Sequence, residues 1–280
     1  MFFSGLASVG MSMYWIPSST LYFKSVGQSN TPGFNTSIIT VVRICAAILA
    51  SATGLILNAQ DNFLFLLPIF SVVVLVSLIP LRGLNLSTEE PVSWKRAMSR
   101  ISKKCFWANF NSDFSIKKDG LPLILVLLFG SLSESVTIGG LTLIFAAILG
   151  YFAGKLKDNN NNSLFILSFI GLLFVWVAYA VVKVPVGFII LGALEYVFST
   201  IVSIGRDART GRETANSGHS IESAVAIEFA RGIGIMTGIL ILVLAYWLTG
   251  TLSQFVLLAG ALFVIPRGLY AIGILDKLKK

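Results

Sequence analysis

Long apolar runs broken by short polar clusters set the pattern of this chain. A hydrocarbon core about 30 Å thick is crossed by about 20 helical residues at 1.5 Å each, so every run of that length reads as one span. Nine spans result: Phe2–Phe23, Ser37–Leu57, Asn62–Leu81, a fourth from near Cys105 to about Gly130, then Val136–Leu156, Ser163–Val182, Pro185–Ile204, Ser220–Leu248 and Leu252–Ile274. The fold expected is all-α, a polytopic transmembrane helical bundle. Only the stretch Arg82–Lys104 is both long and polar; it carries Glu89, Glu90 and Pro91, then Lys95, Arg96, Arg100, Lys103 and Lys104. The expected division is a three-span bundle over 1–81, a basic cytoplasmic linker over 82–104 and a six-helix bundle over 105–280.

Composition sharpens this picture. With 55% hydrophobic and 12% charged residues the chain departs from the roughly 25% charge of soluble domains, which excludes a soluble enzyme. Two cysteines, Cys45 and Cys105, and the lone His219 leave neither a disulfide framework nor a metal site to build, and no cofactor is expected. No phosphate-binding loop or Ser–His pair points to an enzyme. The net charge of +8 reads as basic loops facing the cytoplasm, with the lipid bilayer and no nucleic acid as partner.

Charge placement tests the span count, because alternate loops should be basic if the topology is right. One side holds Lys24, the Arg82–Lys104 cations, Lys155 and Lys157, Arg206, Arg209 and Arg212, and the Lys277–Lys280 tail, which makes 15 of the 21 basic residues. The opposite loops hold Lys183 alone. The map places the C-terminus in the cytoplasm and Met1 outside, in a multi-pass protein of the cytoplasmic membrane. Three further spans before Met1 would give twelve with both termini inside, so the 280-residue chain is expected to be a piece that inserts without transporting alone.

Charged side chains inside a span cost roughly 2.5–3.5 kcal/mol each and face a partner or a wet cavity. Counted from the span starts at 1.5 Å per residue, Glu195 lies about 15 Å in, Glu228 about 12 Å and Arg231 about 16 Å. Glu228 and Arg231 are three apart on one helical face. Either they are a neutralised pair that permits insertion, or Glu195 and Glu228 are protonatable coupling groups. Asp113 and Lys117 form an i,i+4 pair on a cavity-facing side of the fourth span, or else lie at its cytoplasmic edge. Arg43 and Arg267, each about 9 Å from the inner surface, are expected to snorkel there. His219 reads as a helix-cap residue, and the Gly150/Gly154 and Gly234/Gly238 pairs as devices for close helix approach.

The stretch "GYFAGKLKDNNNN", residues 150–162, looks like the second-half copy of the Gly-rich loop motif of the major facilitator superfamily. Gly150, Gly154 and Asp158 match it, while asparagines stand where most of its basic residues would be. The run "SAVAIEFARGIGIMTG", residues 223–238, resembles the eleventh helix of some bacterial members, and the basic linker followed by six spans is similar to a complete second half. The resemblance implies that a glycine lets helices approach and an aspartate caps or pairs with a neighbouring helix. It also implies secondary active transport of a small-molecule substrate by alternating access, as proton-coupled efflux. The alternatives are an intramembrane lipid-modifying enzyme, which needs paired acids at one depth, and a membrane scaffold without transport.

Overall fold

The computed structural model describes residues 19–22, 31–42, 44–45, 93–110, 133–159, 162–249 and 257–274. The described residues are helical, with no strand among them. Seven helices are numbered here: α1 Trp94–Arg100, α2 Lys103–Phe110, α3 Ser133–Asp158, α4 Ser163–Val181, α5 Pro185–Asn216, α6 Ser220–Thr249 and α7 Leu257–Ile272. Two further helical stretches cover 19–22 and 32–42. The chain divides into two compact units, one joining Met1–Val41 to Val92–Lys280 and the other Val42–Pro91. Only Val42, Ile44 and Cys45 of the second unit are described. Asp113, Lys117 and Arg43 lie outside the described residues.

Three helices are long and apolar enough to cross a membrane: Ser163–Val181, Val186–Asn216 and Ser220–Thr249. They mark the chain as a membrane protein. The side chains say which way each helix faces. In α4 the buried set Phe165, Ser168, Leu172, Val175, Trp176 and Tyr179 recurs every three to four residues, while Ile166, Leu167, Ile170, Phe174 and Val177 point outward. Both faces are apolar, as expected of a helix set between protein and lipid. In α6 only 17% of the most apolar stretch is buried, and Phe229, Met236, Leu240, Val243 and Trp247 form an outward stripe.

Helices α4, α5 and α7 share one core, in which Leu172, Trp176 and Tyr179 meet Phe188, Val202 and Val264. Helix α3 joins it through Ala153, beside Phe165, Ile201 and Ile204. A second core ties α1 and α2 to α6 and α7 through Ala97, Ile101, Cys105, Ala108, Ile227 and Tyr270. The three-residue connections 182–184 and 217–219 fold α4, α5 and α6 back on one another. Gly218, at φ +70°, lets the chain leave α5, and Gly273, at φ +89°, does the same for α7.

Two expected boundaries are corrected. The span expected to stop at Ile204 continues as helix to Asn216, so the supposed loop of Arg206, Arg209 and Arg212 is the last three turns of α5. Those turns persist because Ile204, Ala208, Gly211 and Thr214 repeat at helical spacing and are buried. The second expected span was placed from Ser37, yet helix begins at Pro32, with Thr31 accepting the first helical N–H from Asn35 at 3.1 Å. Proline at the first helical position sets φ and removes a donor that would lack a partner anyway.

Candidate functional site

Twelve residues separate Glu195 from Asp207 in α5, about 18 Å along the axis, and they divide the polar interior into two layers. The layer nearer the α5–α6 turn centres on Asp207. Its Oδ1 accepts from Arg206 at 2.7 Å and lies 3.7 Å from Nη2 of Arg231 in α6. Arg231 Nη1 donates to Glu228 Oε1 at 2.7 Å, and the Ser19 hydroxyl donates to the same oxygen at 2.7 Å. Asn109 of α2 accepts from Arg231 at 3.4 Å and donates to Thr210 at 3.3 Å. Two guanidiniums and two carboxylates balance, and the side chains are only 7% (Arg206), 11% (Asp207), 16% (Arg231) and 21% (Glu228) exposed. One network therefore joins residues 19–22, α2, α5 and α6.

Trp94 of α1 packs edge-on against Phe229 with ring centroids 4.3 Å apart, at one end of the outward stripe of α6. Trp247 ends the stripe eighteen residues later, about 27 Å away. Aromatic rings thus stand at both ends of this apolar stripe. Glu228 and Arg231 sit beside the first of these ends rather than midway between them.

The second layer, around Glu195, contains Arg267, which was expected to snorkel to the inner surface. Arg267 of α7 is 5% exposed and donates through Nη2 to the Ser199 carbonyl at 2.9 Å, to the Ser199 hydroxyl at 3.1 Å and to the Ser203 hydroxyl. It does not snorkel: Gly268 brings α7 against the Phe169 ring, and the guanidinium turns into the helix pair. Glu195, also 5% exposed, lies one turn of α5 beyond Ser199, with Tyr179 and Tyr196 near enough to feel its charge. Among the described residues Tyr179, at the centre of that core, has no hydrogen-bond partner for its hydroxyl.

The Gly-rich stretch occupies the end of α3. Asp158 accepts the backbone N–H groups of Gly33 and Phe34, each at 2.8 Å, and so caps the helix that starts at Pro32. These are two of the four N–H groups that a helix start leaves without an internal partner, and the carboxylate also meets the positive end of the helix dipole. Arg212 stands 3.9 Å from the same carboxylate but is half exposed, so it adds little. Gly154 makes this approach possible, because a Cβ there would fall 2.5 Å from the Gly33 carbonyl oxygen. Gly150 faces Ile204 and Thr200 of α5. Gly234 and Gly238 are buried, Gly234 directly against the Phe110 backbone of α2. His219 precedes α6, with its carbonyl accepting from the Ser223 N–H at 3.0 Å.

Lys157 is folded inward from the same end of α3, donating to the Ala271 carbonyl at 2.6 Å and to Asn162 at 3.0 Å. Burial, reinforced by Arg209 and Arg212, pushes its ammonium down to about 8 from 10.5. Between those values the unfolded chain binds the proton more tightly, so stability rises as pH climbs through the window from about 8 to 10.5. Unfolding midpoints in detergent over this range should increase, and Lys157→Gln should flatten the rise; an unchanged slope would remove Lys157 from the account.

Asp207, Arg206, Arg267, Asn109 and Ser19 escaped the sequence reading. Arg206 and Asp207 were hidden by the misplaced end of α5, although the burial periodicity through Thr214 carries the signal. Among the described residues no group of three or more His, Cys, Asp or Glu is placed to hold a metal ion. Comparison with protein-family models, with curated proteins and with solved structures finds no match.

Proposed function

We propose that this protein is a secondary active transporter of a small solute, working by alternating access with proton coupling, as the resemblance to the major facilitator superfamily implies. The observation that carries the reading is Glu195, a carboxylate buried in an apolar helix core one turn from the Arg267–Ser199 contact. Ionisable groups at such depth are costly and belong by default to an ion or substrate pathway. The Asp207 layer, 18 Å away by the α5 rise estimated at about 1.5 Å per residue, closes one end of the path by joining four helical stretches. The Asp158 cap ties 32–41 to α3 and holds that end shut in this conformation.

The test is uptake and efflux of a substrate panel in membrane vesicles under an imposed pH gradient. Glu195→Gln should reduce gradient-driven flux about a hundredfold or more, the range a positioned proton-transfer group contributes, and flatten its pH dependence. Glu228→Gln should slow flux and leave the pH profile in place. If Glu195→Gln transports with an unchanged pH profile, the coupling role is wrong.

The basic end of the bundle is placed in the cytoplasm on the loop asymmetry. In a Cys45→Ala background, a cysteine at exposed Ser99 should resist a membrane-impermeant reagent in intact cells, and one at exposed Lys183 should react. Labelling of Ser99 from outside would invert the map.

A further inference from the structure

Helices α1 and α2 form a hairpin against the start of α6. Trp94 meets Phe229, Arg96 and Arg100 reach Glu222 at 3.1 and 3.3 Å, and the Ser102 N–H donates to Glu213 at 2.6 Å. As the chain runs from Trp94 to Ser102 it therefore climbs away from the apolar band, and α2 descends again to Phe110, beside Gly234. Two tryptophans stand half exposed at the edge of this packing, Trp94 at 50% and Trp107 at 52%. Each has an exposed lysine beside it: Lys95 follows Trp94, and Lys103 lies one turn before Trp107 on the same face. No acidic residue occurs between 93 and 110. Among the described residues, Glu222 pairs with both arginines and Glu213 with Ser102 and Tyr270.

We infer that this hairpin binds anionic phospholipid, with the indoles at the level where acyl chains meet headgroups and Lys95 and Lys103 on the headgroup phosphates. The indole suits that level because its ring is apolar and its N–H is polar. An ammonium near a negatively charged leaflet gains about fivefold in affinity. The position along α6 independently places Trp94 at the boundary, since Phe229 and Trp247 bracket one bilayer thickness. Ala97 of α1 and Cys105 and Ala108 of α2, buried in one core with α6, anchor the helices that carry Lys95 and Lys103.

The test uses the purified chain in phosphatidylcholine vesicles containing a small fraction of lipid brominated on its acyl chains, either phosphatidylglycerol or phosphatidylcholine. The Trp94 contribution is the difference in quenching between the wild type and Trp94→Phe, a change at an exposed ring. At low salt, brominated phosphatidylglycerol should quench Trp94 as if enriched about fivefold or more over brominated phosphatidylcholine. The double variant Lys95→Gln, Lys103→Gln should lose most of that preference, and Lys183→Gln, an exposed lysine at the other end of the bundle, should keep it. Equal quenching by the two lipids, or equal loss in Lys183→Gln, overturns the inference. Displacement of the preference by millimolar inorganic phosphate assigns the lysines to free phosphate and also overturns it.

Discussion

Asp207→Ala should lower the stability of the purified chain by about 3–5 kcal/mol, the range found when one member of a buried ion network is removed. Its carboxylate is the acceptor for Arg206 at 2.7 Å and stands 3.7 Å from Arg231. Without it, two guanidiniums at 7% and 16% exposure are left with the single carboxylate of Glu228, which is bonded to Arg231. The loss comes from stranded positive charge, since the intact network spends much of its Coulombic attraction on desolvation. Arg212→Ala provides the contrast: its guanidinium is half exposed and 3.9 Å from Asp158, so it should change stability by less than about 1 kcal/mol. Denaturant unfolding in micelles, followed by circular dichroism, measures both. A cost below 1 kcal/mol for Asp207→Ala would mean that the network is wet and only weakly coupled.

Gly154→Leu should produce the second large loss, about 2–4 kcal/mol, combining overpacking with a lost helix cap. The obstacle is main chain: the new Cβ would sit 2.5 Å from the Gly33 carbonyl oxygen and against the Ser37 side chain. Helix 32–41 and α3 would have to separate, drawing Asp158 away from the Gly33 and Phe34 N–H groups. Gly150→Ala tests the same face with a soft neighbour, since its Cβ would lie 3.2 Å from the end of the Ile204 side chain, which can rotate. That change should cost under about 1 kcal/mol. If Gly154→Leu is equally mild, the two helices do not approach in the way described.

How far the chain could be read beforehand depended on which physical signal carried each feature. Helices α4 and α6 were legible to within a residue or two, because a run of apolar side chains bounded by polar turns has only one economical reading in lipid. The second half of α5 was not. Its burial faces α3, α2 and α6, and its arginines made residues 205–216 look like a solvated loop. Arg267 was misread for a related reason: distance from a presumed surface says nothing about whether a side chain turns along the helix or into it. Gly154 and Asp158 stood out in the sequence as a motif, but their partners Gly33 and Phe34 are not discernible there. Nothing local in Thr31-Pro32-Gly33 records that a carboxylate will arrive from far along the chain.

That separation has a consequence for how the protein is made. Asp158 lies 125 residues after Gly33, so when residues 32–41 leave the ribosome the group that caps them does not yet exist. At about 5–20 residues per second the wait is roughly 6–25 s. Through that interval two backbone N–H groups at the start of an apolar helix must find water, headgroups or the insertion machinery as substitute partners, since leaving them bare in lipid is costly. The cap is thus a late event in biogenesis. Damage to Asp158 should first appear as a chain that inserts with a normal number of helices yet stays open to protease near residue 33.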